Sequence, residues 1–173
     1  VLFRMGHAFD ALIYHPQLSE LTDLASAFPD AVFVLNHIGR PLGVGPYAGH
    51  RDEIFEAWKK DMVTLSERPN VVVKVGGLGN RVSGFGWDTR PAPPNSIELT
   101  QATSPYYLHA IETFGPERCM FESNFPVDKN SYSYTAVWNS FKRMTANFSA
   151  DEKRLLFHDT AAKAYRLPLL SEQ

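Results

Sequence analysis

RCMFESNFPVDK, the stretch at residues 118–129, begins with an apolar run and ends in polar residues around a proline. The apolar run is too short for a helix and is typical of a buried strand, and Pro126 marks its exit into a loop. Alternate residues of a strand share a face, so Met120, Glu122 and Asn124 are predicted to point the same way. α/β folds build their sites at such strand ends. We therefore interpret Glu122 and Asn124 as candidate site residues; the alternative is that they bond to nearby backbone or cap a helix.

Three earlier segments are predicted as strands, at residues 9–15, 31–37 and 71–75. A helical pattern follows every strand. The predicted helices span residues 17–28, 52–66, 95–114 and 134–148, and the third has a break near Pro105. A last helix begins with the capping box of Ser149 and Glu152. This alternation predicts an α/β fold with parallel strands and right-handed crossovers. The architecture is either a doubly wound sheet or part of a (β/α)8 barrel. No glycine-rich phosphate fingerprint follows any strand, which disfavours a nucleotide-binding fold.

Polar residues lie at the carboxyl ends of all the predicted strands. They are His15, His37 and Lys74, together with Glu122 and Asn124. Each one alone has an ordinary structural explanation, but barrel enzymes assemble their pockets from residues at these ends. A lysine inside a β-branched strand must find an anion or a cavity for its ammonium group. We therefore expect a site at the carboxyl edge of the sheet.

The candidate side chains suggest particular chemical roles. Lys74 and Arg40 suit a carboxylate or a developing oxyanion. His37 is able to bind a metal ion through a ring nitrogen or to shuttle a proton. The glycine- and proline-rich segment at residues 79–94 is predicted as a lid over the site or as a surface loop.

The composition limits the classes of protein and partner. With 173 residues, 44% of them hydrophobic, the chain is expected to form a single domain over residues 1–173. A net charge of -2 and a pI near 6.3 predict no nucleic-acid or membrane partner. The single cysteine, Cys119, fits a reducing, cytoplasmic compartment, and no apolar run approaches a membrane span. Because the chain opens on Val1 with sequence typical of the middle of a protein, we expect a fragment of a longer chain.

Three motifs together resemble the C-terminal part of a known family. NHIGRP at residues 36–41, VVKVGG at residues 72–77 and MFESNFPV at residues 120–127 are similar to the amidohydrolase-related (amidohydrolase 2) family of metal-dependent hydrolases with a TIM-barrel fold. The resemblance covers residues 9–167, including a final helix like those that end these barrels. It implies the C-terminal part of a (β/α)8 barrel, and a family that contains sugar-lactone hydrolases and decarboxylases.

The resemblance also implies site residues and a cofactor. Family members carry a His-x-His pair on the first strand, a histidine after a middle strand and an aspartate at the end of the last strand. Some bind a divalent ion such as zinc or manganese, and others hydrolyse lactones without metal. His37 is similar to the middle-strand histidine, and Asn124 stands at the aspartate position. No His-x-His occurs in this chain, and a barrel typically needs about 250 residues. An amide cannot act as a base, so Glu122, Asp128 or His37 would take that role, or Asn124 would only orient water; Glu122 is favoured because it shares the face of Asn124.

The predicted function is hydrolysis of a C–O or C–N bond in a small, anionic carbonyl substrate such as a lactone, ester or amide, by water activation. The alternatives are a decarboxylase of the same family, or a non-catalytic half-barrel that binds a ligand or a second copy of itself through its open sheet edges. We expect little activity from these residues alone. The residues assigned are His37 as catalytic residue or metal ligand, Asn124 and Glu122 as the water-positioning pair, and Lys74, Arg40 and His15 as substrate-binding residues.

Overall fold

The computed structural model describes residues 5–167 and contains one parallel four-stranded sheet in the strand order β1-β2-β3-β4. The predicted domain, residues 1–173, therefore extends beyond the described residues at both ends. The order of the strands in the sheet is their order in the chain, so the chain winds in one direction, as in an arc of a barrel; a doubly wound sheet would reverse. The strands are β1 (Phe9–Ala11), β2 (Phe33–Leu35), β3 (Val71–Val75) and β4 (Cys119–Phe121).

Helices connect successive strands and follow the last one. They are α1 (Leu18–Ala27), α2 (Arg51–Ser66), α3 (Ser96–Phe114), α4 (Tyr134–Met144), α5 (Ala150–Arg154) and α6 (Thr160–Ala164), the last two joined by a π-helical turn. The predicted capping boxes are present at Asn95 and Ser149. The predicted break near Pro105 is wrong, because α3 is continuous and buries residues on both sides of the proline. Within residues 5–167, no helix is long and apolar enough to cross a bilayer.

The two faces of the sheet differ in burial. The face towards the helices carries Phe33, Leu35 and Val73, all completely buried, and it forms the main hydrophobic core. The opposite face, which would line the interior of a barrel, is buried at Met120 but open beside β1, where Leu12 is 57% exposed. β1 and β4 are the edge strands of the described sheet. Association with another chain through these edges stays a prediction.

Two strands end earlier than predicted, and this changes how their histidines are presented. β1 stops at Ala11, and His15 lies in a 3₁₀ turn with Pro16. β2 stops at Leu35, and His37 lies in the following turn. The strand alternation therefore does not decide where either imidazole points. β3 spans residues 71–75 as predicted.

The segment at residues 79–94 packs against the body of the protein. The rings of Phe85 and Trp87 stack with centroids 4.3 Å apart, and the guanidinium of Arg51 lies 4.1 Å from the centroid of Phe85. Trp87 is buried, and its ring meets the edge of Tyr132. These contacts fix the segment beside the carboxyl ends of β3 and β4.

Candidate active site

The turn after β2 has an unusual backbone. Residues 37–40 all have positive φ, with values of 56°, 50°, 73° and 42°. Only Gly39 adopts this conformation without cost; each of the others adds strain of about 1–3 kcal/mol. Two contacts hold the turn: the indole N–H of Trp58 donates to the carbonyl of Ile38 at 2.8 Å, and the Ile38 side chain is completely buried. The strained turn fixes the position of His37 at the carboxyl edge of the sheet.

Glu122 holds His37 in one orientation. Its Oε1 accepts a hydrogen bond from the backbone N–H of His37 at 3.2 Å and makes a short contact with ring Nδ1. The two side chains are only 9% and 17% exposed. Because an ionised carboxylate can only accept, Nδ1 carries the hydrogen and Nε2 keeps its lone pair. No hydrogen bond to Nε2 is found within residues 5–167. His37 is thus arranged to accept a proton or to bind a cation through Nε2.

The two glycines after β3 make room for this pair. Gly77 has φ = 78°, and a β-carbon there would lie 2.5 Å from Nδ1 of His37. A β-carbon on Gly76 would overlap the backbone carbonyl of Glu122. The VVKVGG motif therefore ends in glycines because the histidine–carboxylate pair occupies the space that side chains would need.

A buried carboxylate stands behind Asn124. Asn124, with φ = 53°, donates from Nδ2 to Oδ1 of Asp128 at 2.8 Å. Oδ2 of Asp128 accepts from the Tyr132 hydroxyl at 2.7 Å and the backbone N–H of Gly79 at 3.1 Å. Asp128 is 1% exposed, and burial raises its pKa above the usual value. Its hydrogen bonds and the nearby His37 lower the pKa and offset part of that effect.

From the sequence, Asp128 was only a candidate base, and this network was not predicted. The sequence did contain one indication of the network, because Asn124 and Asp128 are four residues apart on either side of Pro126. The bond from Gly79 was not visible, since it joins residues 49 positions apart. Asn36 was also missed: its Oδ1 is buried beside His37 without a hydrogen-bond partner among residues 5–167.

Arg40 follows His37 closely in the chain and has a buried polar atom without a partner among the described residues. It occupies the last position of the strained turn, three residues after His37. Its Nε is buried, and the described part of the chain offers it no hydrogen-bond partner. A buried donor without a partner is costly, so an anion or carbonyl oxygen at this point would remove a real penalty.

His15 and Lys74 have partners of their own. Nδ1 of His15 accepts a hydrogen bond from the backbone N–H of Leu42 at 3.2 Å, and burial lowers the pKa of the ring despite the charge of Asp61. Nζ of Lys74 lies 2.6 Å from Oδ2 of Asp10, on the face of the sheet that would line the interior of a barrel. Burial lowers the pKa of Lys74, but its hydrogen bonds to Asp10 and a tyrosine outweigh burial and raise it overall. Its charge is therefore already matched.

A cavity of about 460 Å³ opens beside the Asp128 network. Its walls come from the loops after β3 and β4, and they include Asn80, Arg81 and Asn130. A smaller cavity, of about 320 Å³, lies at the amino end of the sheet near Val32 and Arg118, away from the polar strand ends. Asp88 and Val127 also line the larger cavity, so its wall is mostly polar and carries charges of both signs.

The donor set does not by itself suit a resident divalent ion. Within residues 5–167, no three histidine, cysteine, aspartate or glutamate side chains converge on a point where a metal ion would fit. Nε2 of His37, with Glu122 behind the ring, is the arrangement of a single metal ligand. A protein zinc site needs at least three such ligands. We therefore assign no chemical step to a metal.

Comparison with known proteins places the chain in a family. The model of the amidohydrolase family matches residues 2–167. The chain belongs to the amidohydrolase family. The recognition from the three motifs and the predicted fold, part of a (β/α)8 barrel, are confirmed.

Individual amidohydrolase relatives match nearly the whole chain. The protein y4mH of Sinorhizobium fredii is 42% identical over 166 residues, which are 96% of this chain and 49% of that protein. An L-fucono-1,5-lactonase of Burkholderia multivorans is 28% identical over 163 residues, 94% of this chain and 52% of that protein. A crystal structure of an amidohydrolase from Burkholderia multivorans with bound zinc superposes with a TM-score of 0.81 at 27% identity, covering 96% of this chain and 55% of that chain. The chain thus spans about half the length of these relatives.

Proposed function

We propose that this amidohydrolase chain carries the water-activating part of a hydrolase that opens a small lactone. The observation that carries the proposal is the contact between Glu122 and Nδ1 of His37. It leaves a lone pair on Nε2, in a strained turn, at the edge of the sheet where barrel enzymes place their chemistry.

The proposed reaction needs one water molecule and one ester bond. Nε2 of His37 takes a proton as the water oxygen attacks the lactone carbonyl, and the negative Glu122 stabilises the imidazolium that forms. The tetrahedral oxyanion then collapses, the ring C–O bond breaks, and Nε2 returns its proton to the leaving alkoxide. The product is the open-chain hydroxy acid. General base catalysis of this kind contributes about 10²–10⁴-fold to the rate.

Two cationic residues were predicted to bind the substrate, and their environments differ. We assign the oxyanion or the product carboxylate to Arg40, whose buried Nε has no partner among the described residues. Lys74 is bonded to Asp10. We assign Lys74 mainly to this ion pair on the inner face of the sheet. A substrate anion would reach its ammonium group only by competing with Asp10.

The substrate class rests on similarity together with the polar surroundings of the site. The relative from Burkholderia multivorans is named as an L-fucono-1,5-lactonase, and the polar groups that line the cavity beside Asp128 include two amides, an arginine and the carboxylate of Asp88. These groups suit the hydroxyls of a sugar lactone. A divalent ion stays a proposal, and it would need ligands besides those in residues 5–167.

The test measures acid release by the complete gene product that carries this sequence. A panel of aldono-1,5- and 1,4-lactones, simple esters and amides is followed in weakly buffered solution with a pH indicator. Each assay is run after chelator treatment and again with added zinc or manganese, and spontaneous hydrolysis, measured without protein, is subtracted from the rates of the wild type and of the His37→Asn variant. Turnover of a sugar lactone that His37→Asn lacks supports the proposal.

Other results would contradict it. Carbon dioxide release from carboxylated substrates without lactone opening would favour a decarboxylase. Ligand binding without any turnover, in a protein whose melting curve is cooperative, would favour the non-catalytic half-barrel.

A further inference from the structure

The side chain of Asn124 presents two different polar atoms, and its hydrogen bonding decides which one is left for a ligand. Nδ2 donates to Asp128. No hydrogen bond to Oδ1 is found within residues 5–167, and the residue is only partly buried. The carbonyl oxygen is therefore the atom that Asn124 has available for a ligand.

The direction of this amide is fixed by chemistry as well as by shape. Oδ2 of Asp128 already accepts from the Tyr132 hydroxyl and the backbone N–H of Gly79. A carboxylate can only accept, so Oδ1 must face a donor, and the NH₂ group of Asn124 is that donor. With the amide reversed, two acceptor oxygens would face each other in a buried place, at a cost of about 1–3 kcal/mol.

We propose that Asp128 is a positioning residue that locks the Asn124 amide with its NH₂ inward and its carbonyl oxygen available to water or substrate. The oxygen then accepts a hydrogen bond from the attacking water or from a substrate hydroxyl. This inference rests on the proposed function for the role of the oxygen, whereas the orientation of the amide rests on the network alone.

The network also explains why an amide suits position 124. An aspartate there would place a second carboxylate against Asp128, where the Asn124–Asp128 distance is now 2.8 Å. Two carboxylates at such a distance share a proton instead of both ionising. The buried negative charge at position 128 thus favours a neutral side chain that both donates inward and accepts outward.

A reciprocal exchange of the two residues tests the proposal. In Asp128→Asn, the new amide keeps its oxygen towards Gly79 and Tyr132 and turns its NH₂ towards Asn124, which must reverse and present NH₂ to the site. We expect kcat to fall about tenfold to hundredfold, as for other residues that orient a reacting group, with a much smaller change in KM.

The double variant, which combines Asn124→Asp with Asp128→Asn, restores the pattern. The new amide at position 128 then donates to the new carboxylate at position 124 and still accepts from Gly79 and Tyr132, and that carboxylate presents an oxygen to the site. We expect the kcat of the double variant to exceed that of each single variant. A purely structural role for Asp128 predicts instead that the losses in kcat from the two substitutions add. Melting temperatures of all variants establish that each one folds.

Nuclear magnetic resonance of side-chain amides measures the orientation of the Asn124 amide independently of activity. The Asn124 signal is assigned from its loss in Asn124→Asp. One Asn124 amide proton should resonate downfield and exchange slowly in the wild type and lose both properties in Asp128→Asn. If the wild type hydrolyses no lactone but shows this signal, the proposed function fails and the locked amide stands. The inference would be overturned if this signal were absent. It would also be overturned if the wild type hydrolyses lactones and the folded double variant is no more active than Asp128→Asn.

Discussion

His37 and His15 follow neighbouring strands and are equally buried, at 7% exposed, yet their surroundings give the two rings opposite tautomers. Nδ1 of His37 faces the carboxylate of Glu122 and must carry the hydrogen. Nδ1 of His15 faces the backbone N–H of Leu42 and must provide the lone pair. His37 therefore keeps an acceptor on Nε2, whereas the acceptor of His15 is already used within the protein.

Burial and position at a strand end therefore do not separate the histidine that we propose as a base from the one whose acceptor is used within the protein. The hydrogen-bond partner of Nδ1 separates the two histidines, because it decides which ring nitrogen keeps the lone pair. A carboxylate partner stabilises an imidazolium as it forms, while a backbone N–H partner opposes protonation of the nitrogen it meets.

The largest expected effect is on activity, from His37→Asn. Asparagine tolerates the positive φ at this position, so the turn should survive while the base is lost. We expect kcat/KM for lactone hydrolysis to fall about 10²–10⁴-fold. His15→Asn is the matched change at the other histidine, since its Oδ1 is able to accept from Leu42 in place of Nδ1. Equal losses in the two variants, measured by initial rates, would remove the distinction between the rings.

Glu122→Gln should remove the negative charge behind His37 without changing the size of its partner. Oε1 of Glu122 accepts from both the backbone N–H and Nδ1 of His37, so the glutamine oxygen is able to keep these bonds while the imidazolium that forms loses its counter-charge. A loss of about tenfold to hundredfold in kcat/KM is expected. A variant that folds and keeps wild-type kcat/KM over the whole pH range would show that the charge of Glu122 does not stabilise the imidazolium.

Gly77→Ala should disturb the same pair through space. The new methyl group would lie 2.5 Å from Nδ1 of His37, on a backbone with φ = 78°. We expect a loss of about 1–3 kcal/mol in the free energy of unfolding, together with lower activity. Gly45→Ala is the control, because Gly45 also has positive φ but no atom within 4 Å of its added β-carbon. Denaturant curves that show equal destabilisation would mean that only backbone strain is involved.

The smallest expected effect is the pH dependence that His15 adds to stability. Burial lowers the pKa of His15 below its usual value of 6.5, so the unfolded chain binds the proton more strongly than the folded one. This contribution is present above pH 6.5 and is lost as the pH falls through 6.5 towards the folded-state pKa. The free energy of unfolding of the wild type should therefore drop more steeply over this range than that of His15→Asn. Parallel curves for the two proteins would contradict the shift.

The sequence by itself determined the order of the elements and the edge of the sheet at which the candidate residues lie. Alternating strand and helix patterns predicted parallel strands, and polar residues at strand ends identified His37, Glu122 and Asn124 as candidates. Such inferences succeed because periodicity records burial, and because parallel strands bring their carboxyl ends to one edge.

Only the tertiary structure decided which partner each polar group meets. Glu122 lies 85 residues from His37 along the chain, and Asp10 lies 64 residues from Lys74. Local patterns contain no information about such pairs, nor about a turn whose positive φ angles are held by a distant tryptophan. Because the tautomer of a histidine and the direction of an amide depend on these distant partners, the chemistry of the site follows from the packed chain and not from its residue types.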